Sequence, residues 1–387
     1  MDITQTKFTL KNLRRRRSIL IEGVHGTGKS QTVAQVCKEL SIETKIPHIL
    51  IDVRLSQREE GDIIGVPRGL TTYSGYVPTY VDGKFVRQAV EMTNVMVHDV
   101  PVWFPRDPGM YGTLLYDELP YATKGVVQAV MESLLDHSQN GVPIPENVRV
   151  VACGNSGGNL QDIYGGCQMN PAVYDRPLKI EFQPTFTEWA AFAREHGVHP
   201  AILFFLTKFQ TKLDPPAEME SGKAYPSRRS WVTLGEDIQD LAKVPGFDPF
   251  KDLDYLGKLV KGRVGSVVAV DFMNWVKSNF KLYSAEEILN KWDAEMEKDF
   301  RALTAEEVTF YNDELIAHIK KTGKKLTGKQ KTNLERYVRV VPKETASAFF
   351  VSWLKDTRDI AIDFYSIPTV RDYLFGNMNM QESLGLN

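Results

Sequence analysis

The clearest chemistry in this 387-residue chain lies in eight consecutive residues, Gly23-Val24-His25-Gly26-Thr27-Gly28-Lys29-Ser30. Two glycines five apart, then a lysine and a hydroxyl, give the spacing of a loop that wraps phosphate oxygens. Glycine lets the backbone turn its N–H groups inward, and a helix starting near Lys29 adds the positive end of its dipole. The expected ligand is ATP, bound by Gly23, His25, Gly26, Thr27, Gly28, Lys29, Ser30 and Gln31. Lys29 would reach the β and γ phosphates, and Ser30 would ligate Mg²⁺. Two further sets complete a hydrolytic site. The apolar run Leu114-Leu115-Tyr116 ends in Asp117-Glu118. Asp117 would hold Mg²⁺ through water, and Glu118 would polarise the attacking water. An Asp-Glu pair after a strand is common in loops, but downstream of a phosphate loop it is specific. Val150-Val151-Ala152-Cys153-Gly154 leads to Asn155, whose amide can bond the γ-phosphate or the water. A plain turn asparagine is the bland alternative.

These residues need elements to hold them. Ser18–Glu22 reads as a strand entering the glycine loop, and Lys29–Leu40 as a helix with Val33, Val36, Cys37 and Leu40 on one face. His48–Val53, Gly112–Tyr116, Asn147–Cys153 and Leu178–Phe182 read as further strands, and Lys124–Asp136 as a helix. Strands alternating with helices predict a parallel sheet covered on both faces. From Thr187 onward the pattern turns helical: Trp231–Leu241 and Val264–Trp275 are helical, and Ala285 to Phe350 is rich in Glu, Lys, Leu and Ala. Gly65–Lys84, with Tyr73, Tyr76 and Tyr80, and Asp99–Gly112, with Trp103 and Phe104, read as loops.

The three phosphate-site motifs, in this order and spacing, resemble the AAA+ ATPases, and more narrowly their MoxR-like branch. Arg54-Leu55-Ser56-Gln57 with Gly61–Pro67, Leu115–Leu119, Asn170-Pro171-Ala172-Val173-Tyr174-Asp175-Arg176, and Ala224–Trp231 are similar to segments of that branch. The resemblance covers Ile19 to Lys277. It implies the following fold: an α/β, P-loop AAA+ core (1–186) with a parallel five-stranded sheet flanked by helices, an α-helical lid (187–284), and a helical C-terminal extension (285–387). By the same resemblance Asn155 takes the sensor 1 role. Arg176 takes the arginine-finger role in a neighbour's site, although Pro177 stands where the family usually has Phe. Arg229 takes the sensor 2 role, although Arg228 replaces the usual Pro and either arginine could be the working cation. The implied protein is a homo-oligomeric ring, a hexamer, acting as a chaperone or remodeller on a protein client or a von Willebrand factor A-domain partner. In such a ring the Gly65–Lys84 segment can line the central pore, its tyrosines gripping an extended chain; a packed surface loop is the competing reading.

Composition narrows the rest. Hydrophobic residues make up 42% and charged residues 25%, an ordinary globular balance. A net charge of -2 gives no whole-protein attraction for nucleic acid. Arg14-Arg15-Arg16-Arg17 is the local exception: a solvated segment, or a contact to nucleic acid, a neighbouring subunit or the adenine side of the nucleotide. A nucleic-acid motor or loader, and a slow ATP-dependent scaffold or switch, are the rival functions. Cys37, Cys153 and Cys167 form no C-x-x-C pair and fit reduced thiols in a cytoplasmic protein. No apolar run is long enough to span a bilayer. Asn290-Lys291-Trp292-Asp293 mimics a base-recognition motif but falls in a helical pattern, and His196 with His199 lacks partners for a metal.

Overall fold

The computed structural model describes residues 1–81, 84–155, 176–216, 222–278 and 282–375. The Asn170–Asp175 segment and Cys167 lie outside them. The chain forms two compact units: Met1–Phe192 with Pro216–Lys223 and Ser227–Ser230, and Ala193–Pro215 with Ala224–Pro226 and Trp231–Asn387.

The first unit is built on five parallel strands: β1 (Ile19–Gly23), β2 (His48–Arg54), β5 (Tyr111–Asp117), β8 (Val148–Asn155) and β9 (Leu178–Glu181). Their order in the sheet is β2-β5-β8-β1-β9. Successive strand residues point to opposite faces, and both faces are buried here. On one face Leu20, Leu114, Tyr116, Val150 and Ala152 pack with Val126, Val127, Val130 and Leu134 of helix α4 (Lys124–Asp136). On the other, Ile19, Ile21, Leu115, Val151 and Cys153 pack with Val33, Val36 and Leu40 of α2 (Lys29–Thr44) and Leu10 of α1 (Ile3–Asn12). This is the two-sided α/β core that the sequence predicts.

Register decides where the polar strand ends fall. Gly23 lies beside Asn155, and Arg54 beside Asp117. The carboxyl ends of β1, β8, β5 and β2 therefore form one edge, where ligands of open parallel sheets bind.

The Gly65–Lys84 segment is not a loop. After the short helix α3 (Glu60–Ile64) the chain forms a long antiparallel ribbon, β3 (Val66–Val81) against β4 (Lys84–Asp99), in register from Val66↔Asp99 to Val81↔Lys84. Pro67, Gly69, Gly75 and Pro78 interrupt the β pattern of the first strand in sequence; pairing with the β-branched second strand overrides them. Gly65 closes the ribbon's base at φ 86°, with its Cα against the Asp99 carbonyl. A two-residue pair, β6 (Ser138–Gln139) and β7 (Val142–Pro143), turns through Asn140 and Gly141, both at positive φ.

The first unit takes most of α5 (Phe186–Glu195) and the first three residues of α7 (Arg228–Ala242). The second unit is helical: α6 (Pro200–Lys208), α7 from Trp231 onward, α8 (Leu253–Val264) and α9 (Ser266–Lys277). The stretch read as one helix from Val264 breaks at Gly265, whose φ of 85° and close approach to the Ala224 carbonyl exclude a side chain. Phe204, Phe205, Trp231, Phe272 and Trp275 form its aromatic centre. Seven helices, from α10 (Ala285–Asn290) to α16 (Pro368–Phe375), complete the described part. Capping boxes at Ser284/Glu287, Thr304/Glu307 and Thr327/Gln330 start three of them. The base-recognition mimic falls apart: Asn290 ends α10 and Asp293 caps the next helix. His199 caps α6 by accepting the Ala201 N–H. No helix among the described residues is long and apolar enough to cross a membrane.

Candidate active site

The glycine loop joins β1 to α2. Gly26 (φ 77°) and Gly28 (φ 93°) adopt the left-handed conformation that turns their amides inward. Nothing crowds a Cβ at Gly28, so its requirement is conformational; a Cβ at Gly26 would stand 3.2 Å from the Ser227 Cβ. Gly28 caps α2, so Lys29 and Ser30 occupy its first turn. Thr27 ties the loop by donating to the Val24 carbonyl at 2.8 Å.

Lys29 is 8% exposed. Its ammonium donates to the carbonyls of Gly23 and Val24, both at 2.9 Å, and to Oδ1 of Asn155 at 2.7 Å. Burial pulls its pKa down to about 8, and the nearby Arg229 charge adds to the effect. Asn155 Nδ2 in turn donates to the Tyr121 hydroxyl at 2.8 Å and lies 3.5 Å from Nδ1 of His25. His25 is also held below the usual imidazole range, chiefly by burial, then by Arg229 and Lys29.

Ser30 Oγ, in the first turn of α2, donates to Oδ2 of Asp117 at the end of β5 at 2.5 Å. Asp117 Oδ1 accepts the Glu118 N–H at 2.9 Å. Asp52, at the end of β2, has its carboxyl pushed up by burial and then by the Asp117 charge, which puts a second acid in electrostatic range. A hydroxyl beside a carboxylate, both hard oxygen donors at a helix N-terminus, fits Mg²⁺, which takes few protein ligands and keeps water and phosphate oxygens.

Glu118 sits at φ 62°, ψ 31°. A non-glycine residue there costs about 1–2 kcal/mol, a strain found at functional sites. The turn that follows, Leu119–Tyr121, is closed by Tyr121 N–H to the Glu118 carbonyl at 2.9 Å. The hydroxyl of Ser56 donates to the Glu118 carboxylate. Ser56, Tyr121 and Asp52 carried no role in the sequence. Their partners lie 62 and 34 residues away for Ser56 and Tyr121, and no local pattern encodes such pairs.

The arginines separate. Arg229 lies beside the loop: its Cβ is 3.7 Å from where a Gly26 Cβ would stand, and its charge reaches His25 and Lys29. Arg228 is buried instead; its guanidinium donates to the Thr185 carbonyl at 3.2 Å and its own carbonyl accepts from Trp189 Nε1 at 3.3 Å. Arg176 is not brought to this edge. It precedes β9 at the amino ends of the strands, 61% exposed, paired with Asp136 at 3.2 Å.

Pro120 packs on Gly154, where a Cβ would meet the proline ring at 3.1 Å. That contact seats Tyr121 against Asn155. Tyr121→Phe should therefore lower kcat for nucleotide hydrolysis several-fold with little change in KM, by freeing the Asn155 amide. Steady-state kinetics check this; an unchanged kcat would make the hydroxyl incidental.

No family model matches the sequence, and no curated protein matches it. Among solved structures, NtrX from Brucella abortus in complex with ADP is similar at 11% identity, over 99% of this chain and 67% of that one, with a TM-score of 0.36. A Thermotoga maritima RuvB P216G mutant is similar at 12% identity, over 74% and 71%, with a TM-score of 0.33. The α/β P-loop fold assigned to the first unit rests on the strand order, the register and the glycine loop themselves.

Proposed function

We propose that the chain is an ATP-hydrolysing remodeller of the MoxR-like AAA+ type, working as a ring whose active sites are shared between subunits. The observation that carries this reading is the meeting of Lys29, Ser30, Asp117, Glu118 and Asn155 on one sheet edge while an exposed Arg176 stands on the other. Lys29 holds the β and γ phosphates, and its present carbonyl and amide partners give way to phosphate oxygens. Ser30 and, through water, Asp117 would hold Mg²⁺, which would neutralise charge on the triphosphate. Glu118 draws the proton from a water as that water's oxygen bonds the γ-phosphorus and the bond to the ADP oxygen breaks. Asn155 orients the water or the γ-phosphate. Arg229 stabilises the same group within the chain, and Arg176 does so in the next subunit. Phosphoryl transfer is catalysed mainly by positioning and charge, so each of these roles is one the chemistry requires.

The work is done on a protein client or a von Willebrand factor A-domain partner, and the β3–β4 ribbon, with Tyr73, Tyr76 and Tyr80 in its sequence, is the segment that meets the client. The test is direct. The purified chain should hydrolyse ATP in a Mg²⁺-dependent way, and Lys29→Ala should abolish it; an inert wild-type protein across a range of concentrations would sink the reading.

Lys29 also makes binding pH-dependent. Its folded pKa of about 8 lies below the ordinary 10.5. Between those values the unfolded chain holds a proton that the folded chain has released, so stability rises with pH through that window. A bound triphosphate favours the charged ammonium and reverses the shift. ATP affinity should then fall as pH rises through about 8, and binding near pH 9 should take up a proton. Calorimetry in buffers of different ionisation enthalpy reads the uptake; proton release would contradict it.

A further inference from the structure

The helical extension carries a concentration of positive charge that the phosphate site does not use. Between Glu314 and Glu335 the sequence has no acid and six lysines: Lys320, Lys321, Lys324, Lys325, Lys329 and Lys331. They gather at one corner. Helix α12 (Ala305–Thr322) stops at Gly323, which adopts φ 59° and donates its N–H to the Ile319 carbonyl at 3.0 Å. Helix α13 (Gly328–Val340) starts from Thr327, which shares a capping box with Gln330. Of residues 323–327 between the helices, Leu326 is half-buried and the others are exposed.

Two of the lysines are engaged: Lys320 bonds Asp356 at 2.7 Å and Lys331 bonds Asp363 at 2.9 Å. Glu195 also lies in electrostatic range of Lys320. Lys321, Lys324, Lys325 and Lys329 are exposed and have no ion pair among the described residues. Helix α13 extends this surface. It buries Asn333, Leu334, Tyr337 and Val338, so the opposite face, at helical spacing, exposes Lys329, Thr332 and Arg336. Arg336 also has no ion pair among the described residues, whereas Arg339, next on that face, is held by Glu335 at 3.0 Å. Helix stability accounts for Lys321, because the dipole favours cations at the end of α12. It does not account for Lys329, which stands in the first turn of α13, where the dipole disfavours a cation and no acid offsets it.

The composition of the surface selects the partner. No Phe, Tyr or Trp lies between Tyr311 and Tyr337, and the corner's one apolar residue is the half-buried Leu326. A protein interface needs buried apolar or aromatic anchors, and a single strand needs rings on which to stack its bases. A duplex is held through its phosphates by charge alone, and its major groove, about 12 Å wide, admits a helix. We infer that the α12–α13 corner binds the phosphate backbone of a nucleic-acid duplex without sequence preference, through Lys321, Lys324, Lys325, Lys329 and Arg336. The inference stands on the second unit and does not depend on the hydrolytic reading of the first.

The test is binding of the full chain to a fluorescent random-sequence DNA duplex, by anisotropy, as salt rises from about 50 to about 300 mM. Wild-type should bind at low salt and weaken with a log–log slope of about 4, close to one for each phosphate neutralised. Changing the five cations together (Lys321→Gln, Lys324→Gln, Lys325→Gln, Lys329→Gln and Arg336→Gln) should weaken binding at least about tenfold and flatten the slope, with an unchanged thermal melt. Changing the four lysines to arginine should keep both affinity and slope, because charge alone is at stake. Arg14→Glu/Arg16→Glu/Arg17→Glu should bind the duplex as wild-type does. No duplex binding by wild-type at low salt overturns the inference, as does a five-fold glutamine variant that binds like wild-type, or a loss confined to the Arg14–Arg17 variant. Tighter binding to phosphatidylserine vesicles or to polyglutamate than to the duplex, lost in the glutamine variant, also overturns it, since the surface would then serve a membrane or an acidic protein.

Discussion

Glu118→Gln should lower kcat for ATP hydrolysis by about 10²–10⁴-fold, the usual worth of a positioned general base, while ATP still binds. Glutamine keeps the shape of the side chain and its hydrogen bond with Ser56, but it cannot take a proton. The structure holds Glu118 with care: a left-handed backbone at φ 62°, an N–H fixed to Asp117, and a carboxylate accepting from the Ser56 hydroxyl. Glu118→Gln removes neither the Ser30–Asp117 bond nor the Lys29–Asn155 bond at the phosphate loop. Equilibrium binding of a fluorescent ATP analogue beside single-turnover hydrolysis separates the two effects. A variant that hydrolyses at the wild-type rate would remove Glu118 from the chemistry; one that no longer binds ATP would make it a structural residue.

Arg176→Ala should cost about 10³-fold or more in kcat, the range for a cation supplied to a transferring phosphoryl group. It should leave folding almost untouched. Its bond to Asp136 joins side chains that are each 61% exposed, and such a pair contributes at most about 1 kcal/mol. ATP affinity should change little, because Arg176 lies at the amino ends of the strands and the glycine loop at their carboxyl ends. Thermal melts, ATP binding and steady-state hydrolysis on one preparation check all three. Full activity in the variant would leave Arg176 as a surface ion pair.

Much of the first unit was legible because its signals are local. The glycine spacing needs no tertiary context, the apolar runs ending in Asp117-Glu118 and Asn155 mark strands by themselves, and α4 begins and ends where its periodicity says. What escaped is long-range or conflicted. Pro67, Gly69, Gly75 and Pro78 made β3 read as a loop, and only its partner β4 reveals it. Gly265 splits a helix because the Ala224 carbonyl presses against it, a contact between segments far apart in sequence. Ser56 and Tyr121 acquire their partners only when strand register brings β2 to β5 and β5 to β8. Arg228 and Arg229 are equivalent in sequence; the Thr185 carbonyl takes one, and the loop faces the other.

Mixing tests the account at its centre. Equal amounts of Glu118→Gln and Arg176→Ala chains, each nearly inactive alone, should regain activity when combined with ATP. An intact Glu118 then meets an intact Arg176 wherever an Arg176→Ala chain is served by a Glu118→Gln neighbour, about a quarter of sites in a randomly mixed head-to-tail ring. Recovery near that fraction of wild-type ATPase activity is the predicted result. A mixture no more active than the two variants measured apart would contradict a site completed by the neighbouring subunit.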